Sequence, residues 1–162
     1  MNLIVAVAKD WGIGCENRLL FRIPNDQKYF RAKTIGKVVV MGHNTFKSLP
    51  GGKPLKGRTN VVLSGDATLS ISGVAVCNST QGLFEYLIAY NPEDIFIIGG
   101  ARVYKEFLPY CKKAYITKID AVLPADTFFP NVDDMPGWRL VEEPVQQEHD
   151  GVGYKFCVYE RV

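Results

Sequence analysis

Apolar residues in this chain fall in short continuous runs separated by glycine, proline and polar clusters. Residues 3–8 (Leu-Ile-Val-Ala-Val-Ala) and 38–41 (Val-Val-Val-Met) are apolar throughout, as is the strand predicted at 94–98 after its opening acid. Such a run, bounded by turn residues, predicts a strand covered on both faces, as in a parallel sheet. Further strands are expected at 60–63 and 74–76. Helical stretches alternate with them at 25–32, 43–49, 79–90 and 101–108, the third capped by Ser79 or Thr80 with Leu83, Leu87 and Ile88 on one face. After these come strands alone, at 114–119, 127–129, 138–142 and 154–160, the last reading as an antiparallel edge pair.

This order predicts an α/β fold. The expectation is one domain over residues 1–162, because no repeat, low-complexity tract or linker divides the chain. Two stretches break the rhythm. Residues 9–23 are too long and irregular for a simple connection, and a loop of that length is commonly functional. Residues 19–30 run apolar to Pro24 and then open a helix with Asp26 in its first turn. Proline is preorganised for a helix start, and Asn25 or Asp26 can accept free backbone N–H groups there. Asp26 and Phe30, four apart, share a helix face. The acid is either a cap or a proton-handling group in an apolar pocket.

Composition narrows the function more than the fold. The 162 residues, 47% hydrophobic and 22% charged, suffice for a substantial core. A formal net charge of +2 without a run of like charges argues against nucleic acid or an anionic membrane as partner. The 3–8 run is too short for a membrane span and lacks a basic flank, so it reads as a strand rather than a signal peptide. Cys15, Cys77, Cys111 and Cys157 lie far apart, with only His43 and His149 beside them, which fits free thiols in a reducing cytoplasm and no metal site.

Chemistry-bearing features are few. Parallel sheets place ligands at the carboxyl ends of their strands. Three predicted ends carry small or polar residues followed by a helix: 41–45, 63–65 and 98–101. Each can offer backbone N–H groups to a phosphate, Gly99-Gly100 most openly. Neither G-x-G-x-x-G nor a P-loop is present, and a tight strand-to-helix turn is the competing reading. Arg58, behind the basic segment 53–57, is either a carboxylate clamp or a solvated loop charge. No serine or cysteine has a nucleophile motif around it, while Asp133-Asp134 and Glu142-Glu143 read as exposed edges. A lone acid, phosphate-suited turns and apolar walls fit a protein that orients and protonates while a cofactor carries the hard chemistry.

Together the segments resemble the dihydrofolate reductase family of the bacterial chromosomal type. The resemblance rests on Ile4-Val5-Ala6, on Gly12-Ile13-Gly14 with Glu16-Asn17, and on Ile23-Pro24-x-Asp26 with Phe30 and Thr34. It continues through Val40-Met41-Gly42-x-x-Thr45, Pro54-Leu55-x-Gly57-Arg58-x-Asn60 and Ile98-Gly99-Gly100-Ala101-x-Val103-Tyr104. Thr117-x-Ile119 and Asp126-Thr127-x-Phe129-Pro130 complete it. It implies an eight-stranded, mostly parallel twisted sheet with an antiparallel C-terminal strand and about four flanking helices. The implied reaction is hydride transfer from NADPH to the pterin of 7,8-dihydrofolate, giving tetrahydrofolate for one-carbon metabolism and thymidylate synthesis.

Carried over residue by residue, Asp26 is the single acid of the pterin pocket, desolvated by Ile4, Leu20 and Phe30 and networked with Thr117. Val5, Gln27 and Ile98 join Ile4 and Phe30 around the substrate, Leu49 and Leu55 wall its aminobenzoyl group, and Arg58 pairs with its glutamate carboxylate. Ala6, Ile13, Gly14 and Ile98 line the nicotinamide, under a mobile loop carrying Leu19. Gly42, His43, Asn44, Thr45, Leu63, Ser64 and Gly65 hold the rest of the cofactor with Gly99, Gly100, Ala101, Arg102, Val103 and Tyr104. The resemblance also implies a cytoplasmic monomer that takes antifolates such as methotrexate or trimethoprim.

Six positions depart from the family pattern. Phe21 stands where tryptophan is usual, so an indole N–H that holds a water beside the acid is missing; Gln27 replaces an apolar residue and Ala125 a glycine. At the cofactor end His43 replaces arginine or lysine, Gly65 a basic or hydroxyl residue, and Asn78 a lysine found in some members. A 2′-phosphate favours fixed cations, and histidine is only partly charged at neutral pH. The expectation is NADPH with a weakened preference over NADH. A pyrimidine reductase of riboflavin synthesis and a non-catalytic nucleotide-binding module are the rival readings; Pro24, Asp26 and Arg58 argue against the first, and Asp26, Thr117 and Arg58 against the second.

Overall fold

Along β1 (Asn2–Val7) the side chains alternate between two buried faces: Leu3, Val5 and Val7 enter one core cluster, while Ile4 and Ala6 face the other side. A strand apolar on both faces has to be covered on both. The computed structural model describes residues 1–142 and 144–162. After β1 come β2 (Gly12–Cys15), β3 (Arg18–Leu19), α1 (Pro24–Thr34), β4 (Val38–Gly42), α2 (His43–Ser48), β5 (Thr59–Leu63) and β6 (Ala75–Cys77). Then follow α3 (Thr80–Leu87), β7 (Ile95–Gly99), α4 (Ala101–Phe107), β8 (Lys113–Ile119), β9 (Thr127–Phe128), β10 (Trp138–Leu140), β11 (Gln147–His149) and β12 (Val152–Arg161).

Eight strands form one path in the order β10-β12-β8-β1-β7-β4-β5-β6, with β11 joined to β12. Pairing is parallel from β8 through to β6, and antiparallel where β12 meets β8, β10 and β11. One face packs Leu3, Val40, Val61, Ile97 and Ile116 against Leu83 and Leu87 of α3 and Val103 and Phe107 of α4. The other packs Ile4, Val39, Met41, Val62, Phe96 and Ile98 against Phe46 of α2 and Tyr29 and Phe30 of α1.

The crossover from β1 to β4 passes β7, and that from β7 to β8 passes β1, so the sheet's switch point lies between β1 and β7. These two strands pair only at Asn2–Phe96 and Leu3–Ile97, whereas β1 stays paired with β8 as far as Val7–Lys118. They part beyond Leu3 and open a cleft at their carboxyl ends, where open α/β sheets bind ligands.

Three expectations need correction. Residues 9–23 are not wholly irregular: β2 pairs with β3 and with β9 in a second small sheet. A Cβ on Gly12 would lie 2.9 Å from the Ala125 Cβ, and one on Gly14 2.9 Å from the Thr127 Oγ1. Glycine is what allows the two segments to meet, so 127–128 belongs to this sheet and not to the main one. Second, 63–65 leads through a turn to β6 and not into a helix. Third, β12 is no edge strand, because it lies between β8 and β10 and is also joined by β11, which the sequence reading lacked. Helix α1 runs two residues past the expected end, and α3 stops at Leu87 behind its Ser79 cap, which accepts from the Gly82 N–H at 3.0 Å. Asp133, Asp134 and Glu142 are exposed, as expected of edges, while Glu143 lies outside the described residues.

Phe107, fully buried between the sheet and Phe84, is a sensitive probe of this core. Phe107→Ala is expected to cost about 3–5 kcal/mol of unfolding free energy, read from urea denaturation.

Candidate active site

Asp26 lies in the first turn of α1 but does not cap it. Ile23 occupies the cap position, and no side chain bonds the free N–H groups there. Asn25 turns its amide outward, donating to Gln147 Oε1 at 2.9 Å and to the Tyr154 hydroxyl at 3.1 Å. The Asp26 carboxylate accepts instead from the Thr117 hydroxyl, at 2.7 Å. Thr117 is buried because β8 is paired on both sides, with Ala6 opposite it on β1 and Phe156 on β12. No ion pair involves Asp26 among the described residues. Burial pushes its pKa above the ordinary carboxylate value, and the Thr117 bond opposes that rise without cancelling it.

Beside this acid the cleft widens into a cavity of about 930 Å³. Val5, Ala6 and Ile98 line it where β1 and β7 part, and residues 42–45, 63–65 and 99–104 line it beyond. The Gly99–Gly100 peptide is cis, with Gly99 at φ 133°. A Cβ on Gly99 would stand 3.3 Å from the Thr45 Oγ1, and one on Gly100 3.2 Å, so backbone lies against Thr45 with no room between. Gly42 and Gly100 are the cap residues of α2 and α4, and neither helix start is bonded by a side chain. Tyr104 faces the cavity, but its hydroxyl donates to the Ile4 carbonyl at 2.7 Å, just beyond the last β1–β7 pair. It satisfies a carbonyl that the parting strands leave free.

Ile13, Gly14 and Leu19, from β2 and β3, form a further wall, although Leu19 remains 71% exposed. Their segment is tied to the 126–129 stretch: Glu16 N–H donates to Asp126 Oδ2 at 2.8 Å, Asp126 N–H to the Gly14 carbonyl at 3.0 Å, and Phe129 N–H to the Trp11 carbonyl at 2.8 Å. The Asn17 side-chain amide also donates a hydrogen bond to the Asn44 carbonyl at 3.1 Å, across to α2.

On the other flank Phe30, Leu49 and Leu55 are half-buried against the cluster holding Ile4, Phe46 and Ile98. Arg58 donates through Nε to the Lys56 carbonyl at 2.9 Å and through Nη1 to Thr34 Oγ1 at 3.3 Å, which fixes its head near α1. Burial, and then the like charge of Arg31, lower its pKa from the ordinary value. Gln27 is exposed. Phe21 packs with Ile23, Ile119 and Tyr154 and does not line the cavity.

The whole-chain comparisons agree with this geometry. The dihydrofolate reductase family model matches residues 1–161. The chain is 34% identical to dihydrofolate reductase of Staphylococcus haemolyticus over 100% of its own length and 96% of the relative's. It is 38% identical to dihydrofolate reductase type 3 of Salmonella typhimurium, over 95% of this chain and 92% of that one. A solved dihydrofolate reductase from Enterococcus faecalis, complexed with NADP(H) and RAB-propyl, superposes with a TM-score of 0.88 at 33% identity, covering 99% of this chain and 95% of that chain. The chain belongs to the dihydrofolate reductase family.

Every residue expected to hold the cofactor in a dihydrofolate reductase lines this cavity, and Thr117 meets Asp26 directly. Asp26, Gln27, Phe30, Leu49, Leu55 and Arg58 lie outside that cavity, on the flank that α1 and the 49–58 segment form. The cavity also takes in Asn17, Arg18, Ser48, Thr80, Glu106 and Thr127, which the sequence reading did not name as site residues. For Glu106 a signal was available, since it lies on the helix that Gly99-Gly100 opens.

The Thr117 bond favours the ionised form of Asp26, so removing it moves the titration upward. Thr117→Val is expected to raise the Asp26 pKa and shift the alkaline limb of the pH–kcat/KM profile to higher pH, with carboxyl-carbon NMR reporting the same displacement.

Proposed function

We propose that residues 1–162 act as one domain that reduces 7,8-dihydrofolate to tetrahydrofolate, with NADPH as the reductant. The observation that carries this reading is the Asp26–Thr117 pair, a lone carboxylate held against apolar residues beside the opening between β1 and β7. The cavity fits the dinucleotide: side-chain-free backbone at 99–100, packed on Thr45, forms part of its wall, and the helix starts of α2 and α4, which no side chain caps, suit a diphosphate. The NADP(H) bound to the Enterococcus faecalis relative supports the same cofactor. When bound, NADPH supplies the hydride.

The rest is the work of this chain's side chains. Ala6, Ile13, Gly14 and Ile98 form the apolar end of the cavity, keeping water from the nicotinamide, and Leu19 closes over it. Residues 42–45 and 99–103 take the diphosphate, with Thr45 placed between the two turns. Asp26 accepts hydrogen bonds from the amino and ring N–H groups of a pterin, and its raised pKa keeps a proton at hand nearer neutral pH than an ordinary carboxylate would. Ile4, Val5 and Phe30 exclude water around that ring, Leu49 and Leu55 hold the aminobenzoyl group, and Arg58 pairs with the terminal carboxylate while Thr34 fixes its fork. Phe21 offers no N–H for a water at the acid, so the proton reaches the pterin by a route that owes nothing to this side chain.

Methotrexate- and trimethoprim-type antifolates, which pair cationic rings with a buried carboxylate, belong to the same pocket. A cytoplasmic monomer completes the proposal; the free thiols of Cys15, Cys77 and Cys111 support a reducing compartment. Among the described residues no helix is long and apolar enough to cross a membrane.

Dihydrofolate-driven oxidation of NADPH tests the assignment, and Asp26→Asn tests the acid. At neutral pH the variant is expected to lose about 100-fold or more in kcat/KM and to recover part of it in acid, where solution protons replace the side chain; near wild-type activity at pH 8 would remove Asp26 from this role. Stability should move the opposite way. A folded-state pKa above the ordinary 3.8 means that Asp26 favours folding below that value and loses the contribution as pH rises through the folded pKa. Asp26→Asn should therefore melt higher than wild type at pH 7, and the difference should vanish below about pH 3.8.

A further inference from the structure

Lys118 follows Thr117 on β8 and, by strand alternation, points to the opposite face of the sheet from the Asp26 pair. Its backbone is paired on both sides, with Val7 of β1 and Lys155 of β12. Its ammonium meets two partners. It donates to Asp133 Oδ2 at 2.5 Å and stands 5.2 Å from the centre of the Trp11 ring, over its face. Asp133, in the single 3-10 turn Val132–Asp134 that follows β9, also accepts from the Tyr159 hydroxyl at 2.6 Å. Burial alone would raise the Asp133 pKa, yet the bonds from Lys118 and Tyr159 and the charge of Lys118 hold it below the usual carboxylate range. One cation thus joins the segment before β2 to the segment after β9.

Trp11 is a residue that needs holding. Its φ is 66°, in the left-handed region that a bulky side chain rarely adopts. Such a backbone persists where its surroundings over-determine it. The Trp11 N–H donates to the Ala8 carbonyl at 2.9 Å, and its carbonyl accepts from the Phe129 N–H at 2.8 Å. Its ring stacks on Phe129, with centroids 6.4 Å apart, and Phe129 meets Tyr104 edge-on at 5.2 Å. Strand β2 begins at the next residue, Gly12, and Ile13 and Gly14 line the apolar end of the cavity, as Tyr104 lines its wall. Lys118 itself does not line the cavity.

With the cavity read as the dinucleotide site, we infer that Lys118 is a positioning residue: bound to Asp133 and lying on the Trp11 ring, it fixes the root of β2 and so presets Ile13 and Gly14 against the nicotinamide end of the cofactor. The gain is preorganisation. A root already fixed need not be ordered by the ligand, whereas without the cation part of the binding free energy goes into ordering it.

Calorimetric titration of the intact protein with NADPH and with adenosine 2′,5′-bisphosphate, which lacks the nicotinamide, separates the two ends of the cavity. Lys118→Met should weaken NADPH by about three- to fivefold, the size of a partly exposed cation–π contact, and leave the bisphosphate unchanged. Lys118→Arg, whose guanidinium can keep both the ion pair and the ring contact, should bind NADPH within about twofold of wild type. In a Trp11→Leu background Lys118→Met should cost NADPH nothing more, because the two residues act as a pair. The alkaline limb of the pH–kcat/KM profile, assigned to Asp26, should stay in place in Lys118→Met, which separates this role from a disturbance of the adjacent Thr117. Unchanged NADPH affinity in Lys118→Met, equal weakening of the bisphosphate, no rescue by arginine, additive losses with Trp11→Leu or a displaced alkaline limb would each overturn the proposal while leaving the cavity reading intact. Failure of the wild type to bind NADPH would overturn the cavity reading and this inference with it.

Discussion

The parting of β1 from β7 is the constraint on which the rest of the molecule depends. Both strands are apolar on both faces, and both remain fully flanked: β1 by β8, and β7 by β4 through the Met41–Gly99 pair. The sheet therefore stays continuous below the split while its carboxyl end opens. Beyond the last β1–β7 pair the Ile4 carbonyl has to find another donor, and a buried carbonyl without a partner costs about 1–3 kcal/mol. Tyr104 removes that cost from the wall of the cavity itself. Tyr104 thus both lines the cleft and pairs the Ile4 carbonyl.

The two sides of the split do different chemistry because different elements reach it. From β8 comes Thr117, and from the helix after β1 comes Asp26, a pair in an otherwise apolar setting. From β7 and β4 come glycine-opened helix starts that no side chain caps. Proton handling favours low dielectric and a raised carboxyl pKa, whereas a diphosphate favours backbone dipoles and open space. Separating them by one strand lets each environment form without degrading the other. Burial that raises the Asp26 pKa also works against folding at neutral pH, a cost located at the proposed site.

The small sheet β3-β2-β9 acts as a strap over the cavity. Its long-range bonds, Glu16 to Asp126 and Asn17 to Asn44, are exposed side-chain contacts rather than buried packing. Contacts of that kind are individually weak in water. The strap is held in register by its backbone pairing, while Leu19 at its tip stays largely in solvent.

Much of this was determined by the sequence alone. Continuous apolar runs at β1, β4 and β7 dictate doubly covered strands, Pro24 and Ser79 mark helix starts, and Gly99-Gly100 marks the tightest strand-to-helix turn, because each signal is local and set by side-chain shape or backbone freedom. The motif order was enough to name the family. The tertiary structure alone decided three things. It turned Asp26 from a cap into the partner of Thr117, 91 residues away. It converted the 9–23 stretch into a strand pair by bringing up a segment 110 residues distant, contacts that no local periodicity encodes. It also spent the Asn78 amide on its own turn, on the Ser64 and Asp66 carbonyls, and put Glu106 in the wall of the cavity. The physical reason is common to all three: hydrogen bonds and charges act through space, and a polar residue's role is fixed by whichever partner the fold carries to it. Asp26, first legible as a cap or an acid, owes its answer to a threonine on another strand.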